Sequence, residues 1–155
     1  MPQEISLVGV DVGDIDVFRN ISATEYPILA TRLRCLRFDD GEILFKEGQR
    51  QTTLMGVVEG RIRVTKSDRD GSEITLVHLR RGMSLGEMSL FEDEPRSATA
   101  SASGRVIVVE LSRAAFRDLA DIKPRLALKL QEEMLVILSR RLRRTSARFV
   151  DLTHE

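Results

Sequence analysis

Cysteine occurs once, at Cys35, and histidine twice, at His78 and His154. A single thiol excludes an internal disulfide and cannot hold a metal alone, which suits a reducing, cytoplasmic setting. Metal-dependent enzymes built on small β-barrels need several His and carboxylate ligands to converge. One histidine on a strand and one at the chain end cannot supply them, so the sequence predicts neither a metal nor an enzyme. Net charge is missing as well: 24 Lys plus Arg balance 24 Asp plus Glu, and the global charge gives no argument for nucleic acid. No apolar run approaches the roughly 18 residues that a membrane span requires. The opening "MPQEISLVGVDVGDI" lacks a basic start and a long apolar core, so it does not read as a signal peptide.

What the chain does contain is enough apolar material to fold. Hydrophobic residues make up 42% of 155 positions, which supports one compact domain with an appended element. Apolar residues at helical spacing, with "SATE" at 22 to 25 in the form of a capping box, predict short helices within 14–32. From 33 to 112 the period changes to two, with Gly41, Gly48, Gly60 and Gly82 marking turns and Asp70-Gly71 marking a hairpin. This pattern predicts an α+β but mainly β protein: an eight-stranded jelly-roll β-barrel preceded by the short helices. Helical spacing returns over 112–152, with Ser112 placed to cap the first helix and Pro124 to open a long one. Leu128, Leu135, Leu142 and Phe149 fall seven apart, with Leu138, Thr145 and Leu152 at the companion position and Gln131 weakening its first heptad. That is the seam of a two-stranded coiled coil, and it predicts a homodimer through this helix. Leu130, Met134 and Ile137 are placed to face the barrel instead.

Within the barrel stretch lies an unusual run, "RGMSLGEMSLFEDEPRSATASAS" at 81 to 103. Small residues crowd its ends, while Glu87 and Arg96 are set among them. A ligand carrying a phosphate and a sugar would use each part. Gly86 lets backbone come close, and "GEMSLF" can make one helical turn whose amides face a phosphate. Arg96 supplies a fork-shaped cation and Ser97 a hydroxyl. Ionised Glu87 only accepts hydrogen bonds, which suits a sugar hydroxyl rather than a phosphate. Each element alone is weak, since an isolated Glu and Arg are more often a surface ion pair.

Together they are specific. "LGEMSLFEDEPRSATASA" resembles the phosphate-binding cassette of the cyclic nucleotide-binding domain, a family shared by catabolite activator proteins and regulatory subunits of cAMP-dependent kinases. The likeness runs from about Val17 to the end of the chain. Leu85 departs mildly from the Phe frequent at that position. The resemblance implies one cyclic nucleotide-binding domain over 1–155, with its cassette at 82–100. It also implies a site made of Leu85, Gly86, Glu87, Met88, Ser89, Arg96, Ser97 and Ala98. The run "RRLRRTSARF" is similar to the dimer helix of catabolite activators, and this implies that Thr145 and Ser146 reach the base while Arg141 sits near the acidic sugar contact. The implied ligand is cAMP, with cGMP as the alternative. Two further readings remain: a sensor fragment of a larger regulator, kinase or channel, with an unidentified effector, and a dimerisation module with a dead pocket. In catabolite activators a helix-turn-helix follows the long helix, and base reading needs its recognition helix, so residues 1–155 alone are not expected to bind DNA. Arg140, Arg143, Arg144 and Arg148 read as a solvated helix face.

Overall fold

The computed structural model describes residues 1–153, so His154 lies outside the described residues. Seven strands appear in it: β1 (Gln3–Ile5), β2 (Arg34–Phe38), β3 (Ile43–Phe45), β4 (Thr53–Ser67), β5 (Glu73–Arg80), β6 (Ser84–Leu85) and β7 (Thr99–Ser112). They form one antiparallel sheet in the order β1-β2-β7-β4-β5, with β3 on β7 and β6 on β4. The jelly-roll character holds. The strand count is seven rather than eight, and the sheet does not close through hydrogen bonds between β1 and β5.

Glycine explains part of the difference. Gly60, read from sequence as a strand end, instead sits inside β4 at φ +92°, and the register against β7 shifts on either side of Glu59. An added Cβ there would lie 2.3 Å from the Arg105 carbonyl oxygen. The glycine therefore makes a bulge that bends one long strand instead of ending it. Gly104 does the same within β7, at φ +78°, so two expected pairs of short strands become two long ones. The short β1 was not foreseen.

Alternation along these long strands builds two cores. On β7, Val106 and Val108 enter the barrel interior with Phe38, Val57 and Ile62. Val109 and Leu111 face the other way, toward a cluster containing Phe18, Leu119, Leu126, Leu130 and Met134. The helices belong to this second cluster. A 3₁₀ turn (Asp16–Phe18) and α1 (Tyr26–Ala30) fall in the expected N-terminal stretch. The capping box before α1 forms reciprocally, with the Glu25 amide donating to Ser22 Oγ at 3.2 Å and the Ser22 amide to Glu25 Oε1 at 3.0 Å.

Two C-terminal helices follow, α2 (Arg113–Ile122) and α3 (Pro124–Thr153). Ser112 caps α2 by accepting from the Ala115 amide at 3.0 Å. Leu126, Ala127, Leu130, Met134 and Ile137 of α3 are buried, as their spacing required. Each large apolar side chain so buried contributes about 1.5–3 kcal/mol, enough to seat the first half of α3 without a partner. Lys129 adds a tether to Glu25 at 2.7 Å, and chiefly this hydrogen bond holds the Glu25 carboxyl down at about 2. Beyond Ile137 the helix leaves the core: Leu142, Phe149 and Leu152 are 68%, 67% and 67% exposed. Among the described residues no helix is long and apolar enough to cross a membrane.

Candidate functional site

The chain turns from β6 into the cassette at Gly86. Its φ of +82° favours glycine, and a Cβ at that place would meet Arg96 Nη1 at 2.4 Å and the Thr53 carbonyl oxygen at 2.7 Å. No other residue fits both demands. The turn that follows, Glu87–Leu90, is a single 3₁₀ turn, as "GEMSLF" suggested. It delivers Glu87 and Ser89 into the interior, while Met88 points out at 51% exposure.

Arg96 is buried beside it, 5% exposed. Its backbone is fixed by strand-like bonds, the amide donating to the Gln49 carbonyl at 2.9 Å and the carbonyl accepting from the Gly48 amide at 2.8 Å. Its guanidinium lies over the Phe45 ring, with Cζ 4.1 Å from the ring centroid. Nη1 donates to Ser89 Oγ at 2.8 Å, and Nη2 donates to the Thr53 carbonyl at 2.8 Å and to Gln51 Oε1 at 3.3 Å. Nε is buried without a partner. Burial pushes the Arg96 pKa below its ordinary value, while the Glu87 and Glu110 carboxylates push it back up. A cation this well boxed in and still short of one acceptor is suited to an anion.

Glu87 is the counterpart. Its Oε1 pairs with Arg141 Nη1, reaching in from α3, and its Oε2 is buried without a partner. Arg141 Nη2 also donates to the Ser84 carbonyl. Thus the two charges singled out in the sequence are both buried, and each keeps one polar atom unmatched.

These groups line a cavity of about 870 Å³. Leu85, Gly86, Glu87, Met88, Ser89, Arg96, Ser97, Ala98, Arg141 and Thr145 all border it. Ser146 does not; it lies exposed on α3. Val64, Leu76 and Leu79 give the cavity an apolar side. Arg144 and Arg148 also border it, whereas the sequence had placed them on a solvated face. Their spacing from Arg141, three and seven residues on, puts them on one helical stripe with Thr145, and that signal was available. Gln51, Thr53 and Phe45, which hold Arg96, had no such signal because they come from segments more than 40 residues away along the chain. His78 is half-buried on β5 with its Nδ1 unpaired, and it faces Arg63 of β4.

Residues 35–123 match the profile of the family described as "Cyclic nucleotide-binding domain". The chain belongs to the cyclic nucleotide-binding domain family. Among known relatives, the "CRP-like cAMP-activated global transcriptional regulator" of Mycobacterium tuberculosis is 28% identical over 136 residues, covering 88% of this chain and 59% of that protein. A cyclic nucleotide-binding domain from Methylobacillus flagellatus superposes with a TM-score of 0.81 at 28% identity, over 90% of this chain and 79% of that one. The regulatory domain of Toxoplasma gondii PKA, crystallised with cAMP, gives 0.67 at 25% identity, over 86% of this chain and 47% of that one. The cyclic nucleotide-binding domain here thus spans under two thirds of the length of the regulator it matches.

Proposed function

We propose that this domain is a cytoplasmic receptor for a cyclic nucleotide, cAMP in the first instance, that carries out no chemistry of its own. One observation carries the reading: Glu87 and Arg96 share a cavity wall, both buried, with Glu87 Oε2 and Arg96 Nε unmatched. Leaving such atoms bare costs free energy, and a ribose hydroxyl and a ring phosphate would satisfy one each. The phosphate would take Arg96 together with the amides of the turn after Gly86 and the Ser97 hydroxyl. The hydroxyl would take Glu87. The cavity's size falls within the roughly 300–1,000 Å³ of small-molecule sites. The cAMP dependence named for the mycobacterial relative and the cAMP in the Toxoplasma structure support the choice of ligand.

The output is proposed to run through α3. Arg141 ties that helix to Glu87 Oε1, and a ribose hydroxyl taken up by Oε2 would share the same carboxylate and so alter the tie; binding biases a helix only through such a difference between states. The exposed Leu128, Leu135, Leu142 and Phe149 form one stripe, which supports pairing with a second copy. Any effector beyond that copy would act on this helix pair. The partial span of the mycobacterial regulator favours, as a second reading, a sensor within a larger protein.

Calorimetry of the purified chain with cAMP and cGMP is the deciding experiment. Saturable one-to-one binding of at least one nucleotide per chain is expected. Heats no larger than dilution for both would end the receptor reading.

A further inference from the structure

The most heavily used side chain outside the nucleotide cavity is Arg113, the first residue of α2. It does not border the cavity, and its side chain is 15% exposed. Nε donates to the Leu90 carbonyl at 3.1 Å, Nη2 donates to the Ser89 carbonyl at 2.9 Å and to the Glu92 carbonyl, and Nη1 pairs with Asp93 Oδ1 at 2.6 Å. All four acceptors belong to the cassette. The last carbonyls of a helical turn have no partner within it, and here one guanidinium collects them. This pairing chiefly accounts for the lowered pKa of Asp93.

Ser89 is the shared member. Its carbonyl accepts from Arg113 while its hydroxyl accepts from Arg96 at 2.8 Å. One residue therefore separates the guanidinium at the start of α2 from the one in the cavity. On the other side of the cassette, Arg141 of α3 holds Glu87. The two helices are joined through Lys123 and share one apolar cluster with Leu119, Leu126 and Leu130. The cassette is thus held at its rear by α2 and at its front by α3.

We propose that Arg113 is a positioning residue that locks the phosphate-reading turn to α2, so that the Ser89–Arg96 geometry and the seating of the C-terminal helices change as one unit. The ligand-dependent half of this proposal rests on the nucleotide reading above. Coupling of this kind is reciprocal: what disturbs the clamp weakens ligand binding, and ligand binding tightens α2. A lysine would keep the charge but offer no planar fork for several carbonyls at once.

The test uses the full chain, with cAMP as probe, and the variants Arg113→Ala and Arg113→Lys. Both should bind cAMP roughly 3- to 30-fold more weakly than the parent, the range of couplings carried through a neighbouring residue. In the parent, cAMP should slow amide hydrogen exchange in the first turn of α2 as well as in the cassette; in Arg113→Lys the slowing should stay in the cassette. Combining Arg113→Lys with Ser89→Ala should cost less than the product of the single effects. A merely structural arginine would leave the exchange pattern intact and the effects multiplicative, and either result overturns the proposal. If the parent binds neither cAMP nor cGMP, the receptor reading falls separately. The clamp is then judged without ligand: amides of 87–93 and 113–116 must exchange faster together in Arg113→Lys, and unchanged cassette exchange refutes it.

Discussion

The cassette wall of the cavity and the α3 wall opposite it are built in contrasting ways. On the cassette side Glu87 and Arg96 are 3% and 5% exposed, and Arg96 is held by Ser89, Thr53, Gln51 and Phe45. On the α3 side Arg144, Thr145 and Arg148 are exposed, and only Arg141 is tied to the barrel. On the reading proposed above, a rigid, desolvated pair would recognise what every cyclic nucleotide shares, the ring phosphate and the 2′-hydroxyl. The solvated helix stripe would then meet what differs, the base. Affinity is therefore expected to reside in the first wall, with selectivity and signal in the second.

The sharpest way to break this division is Arg96→Ala. Removing one partner of a buried, charge-assisted contact costs about 2–5 kcal/mol, so calorimetry should show cAMP binding reduced to the limit of detection. Glu87→Gln should weaken binding less, because an amide still offers one acceptor to the hydroxyl. Equal affinity in the Arg96→Ala variant would move the site away from the cassette wall.

The two walls also differ in how legible they were. Glu87, Arg96 and Gly86 lie within one turn and one strand entry, so the spacing of the run at 81 to 103 exposed them directly. Thr53 opens β4 and Gln51 lies in the loop just before it, and only the pairing of β4 against its neighbours brings them to Arg96. Gly60 was misread for a related reason. A glycine at positive φ serves equally as a strand end or a bulge, and the choice is made by the Arg105 carbonyl across the sheet. On α3 the face carrying Arg141 and Thr145 was legible, but the resemblance named single residues on it rather than the whole stripe. That is why Arg144 and Arg148 were assigned to solvent, and why Ser146 was placed with a site that it does not border in a single chain.

An intermediate effect tests whether the second wall is complete in one chain. The exposed leucines of α3 have nothing over them within the described chain, with Leu135 60% exposed. Like charges set across a coiled-coil seam oppose pairing, so Leu135→Lys with Leu142→Lys should sediment as a monomer at micromolar concentration while the parent sediments as a dimer. Because these side chains point away from the cassette, the variant should still bind cAMP. Retention of the dimer would place the interface elsewhere and detach α3 from any role in pairing.

The smallest expected effect concerns the base. Both nucleotides offer Arg96 and Glu87 the same atoms, and Ser97 is compatible with either base, so preference is expected to arise chiefly on the α3 wall. Thr145 Oγ1 donates to the Arg141 carbonyl at 3.0 Å, one turn back. Its proton is therefore occupied, and only lone pairs face the cavity. Such an acceptor suits the 6-amino group of adenine and repels the 6-oxo group of guanine. Arg144 and Arg148 act the other way, since a guanidinium fork matches the two acceptors on guanine's N7/O6 edge. All three side chains are exposed, but the Thr145 hydroxyl is held in place by its bond to the Arg141 carbonyl, whereas the two guanidinium groups stay solvated and their contribution is diluted by water. Preference for cAMP of about tenfold, near 1.4 kcal/mol, is the expected balance. Thr145→Val keeps the shape and removes the acceptor, so competition titration should bring the two affinities to within about threefold of each other. A parent that binds cGMP as tightly as cAMP would show the arginines prevailing, and it would leave the cassette wall untouched.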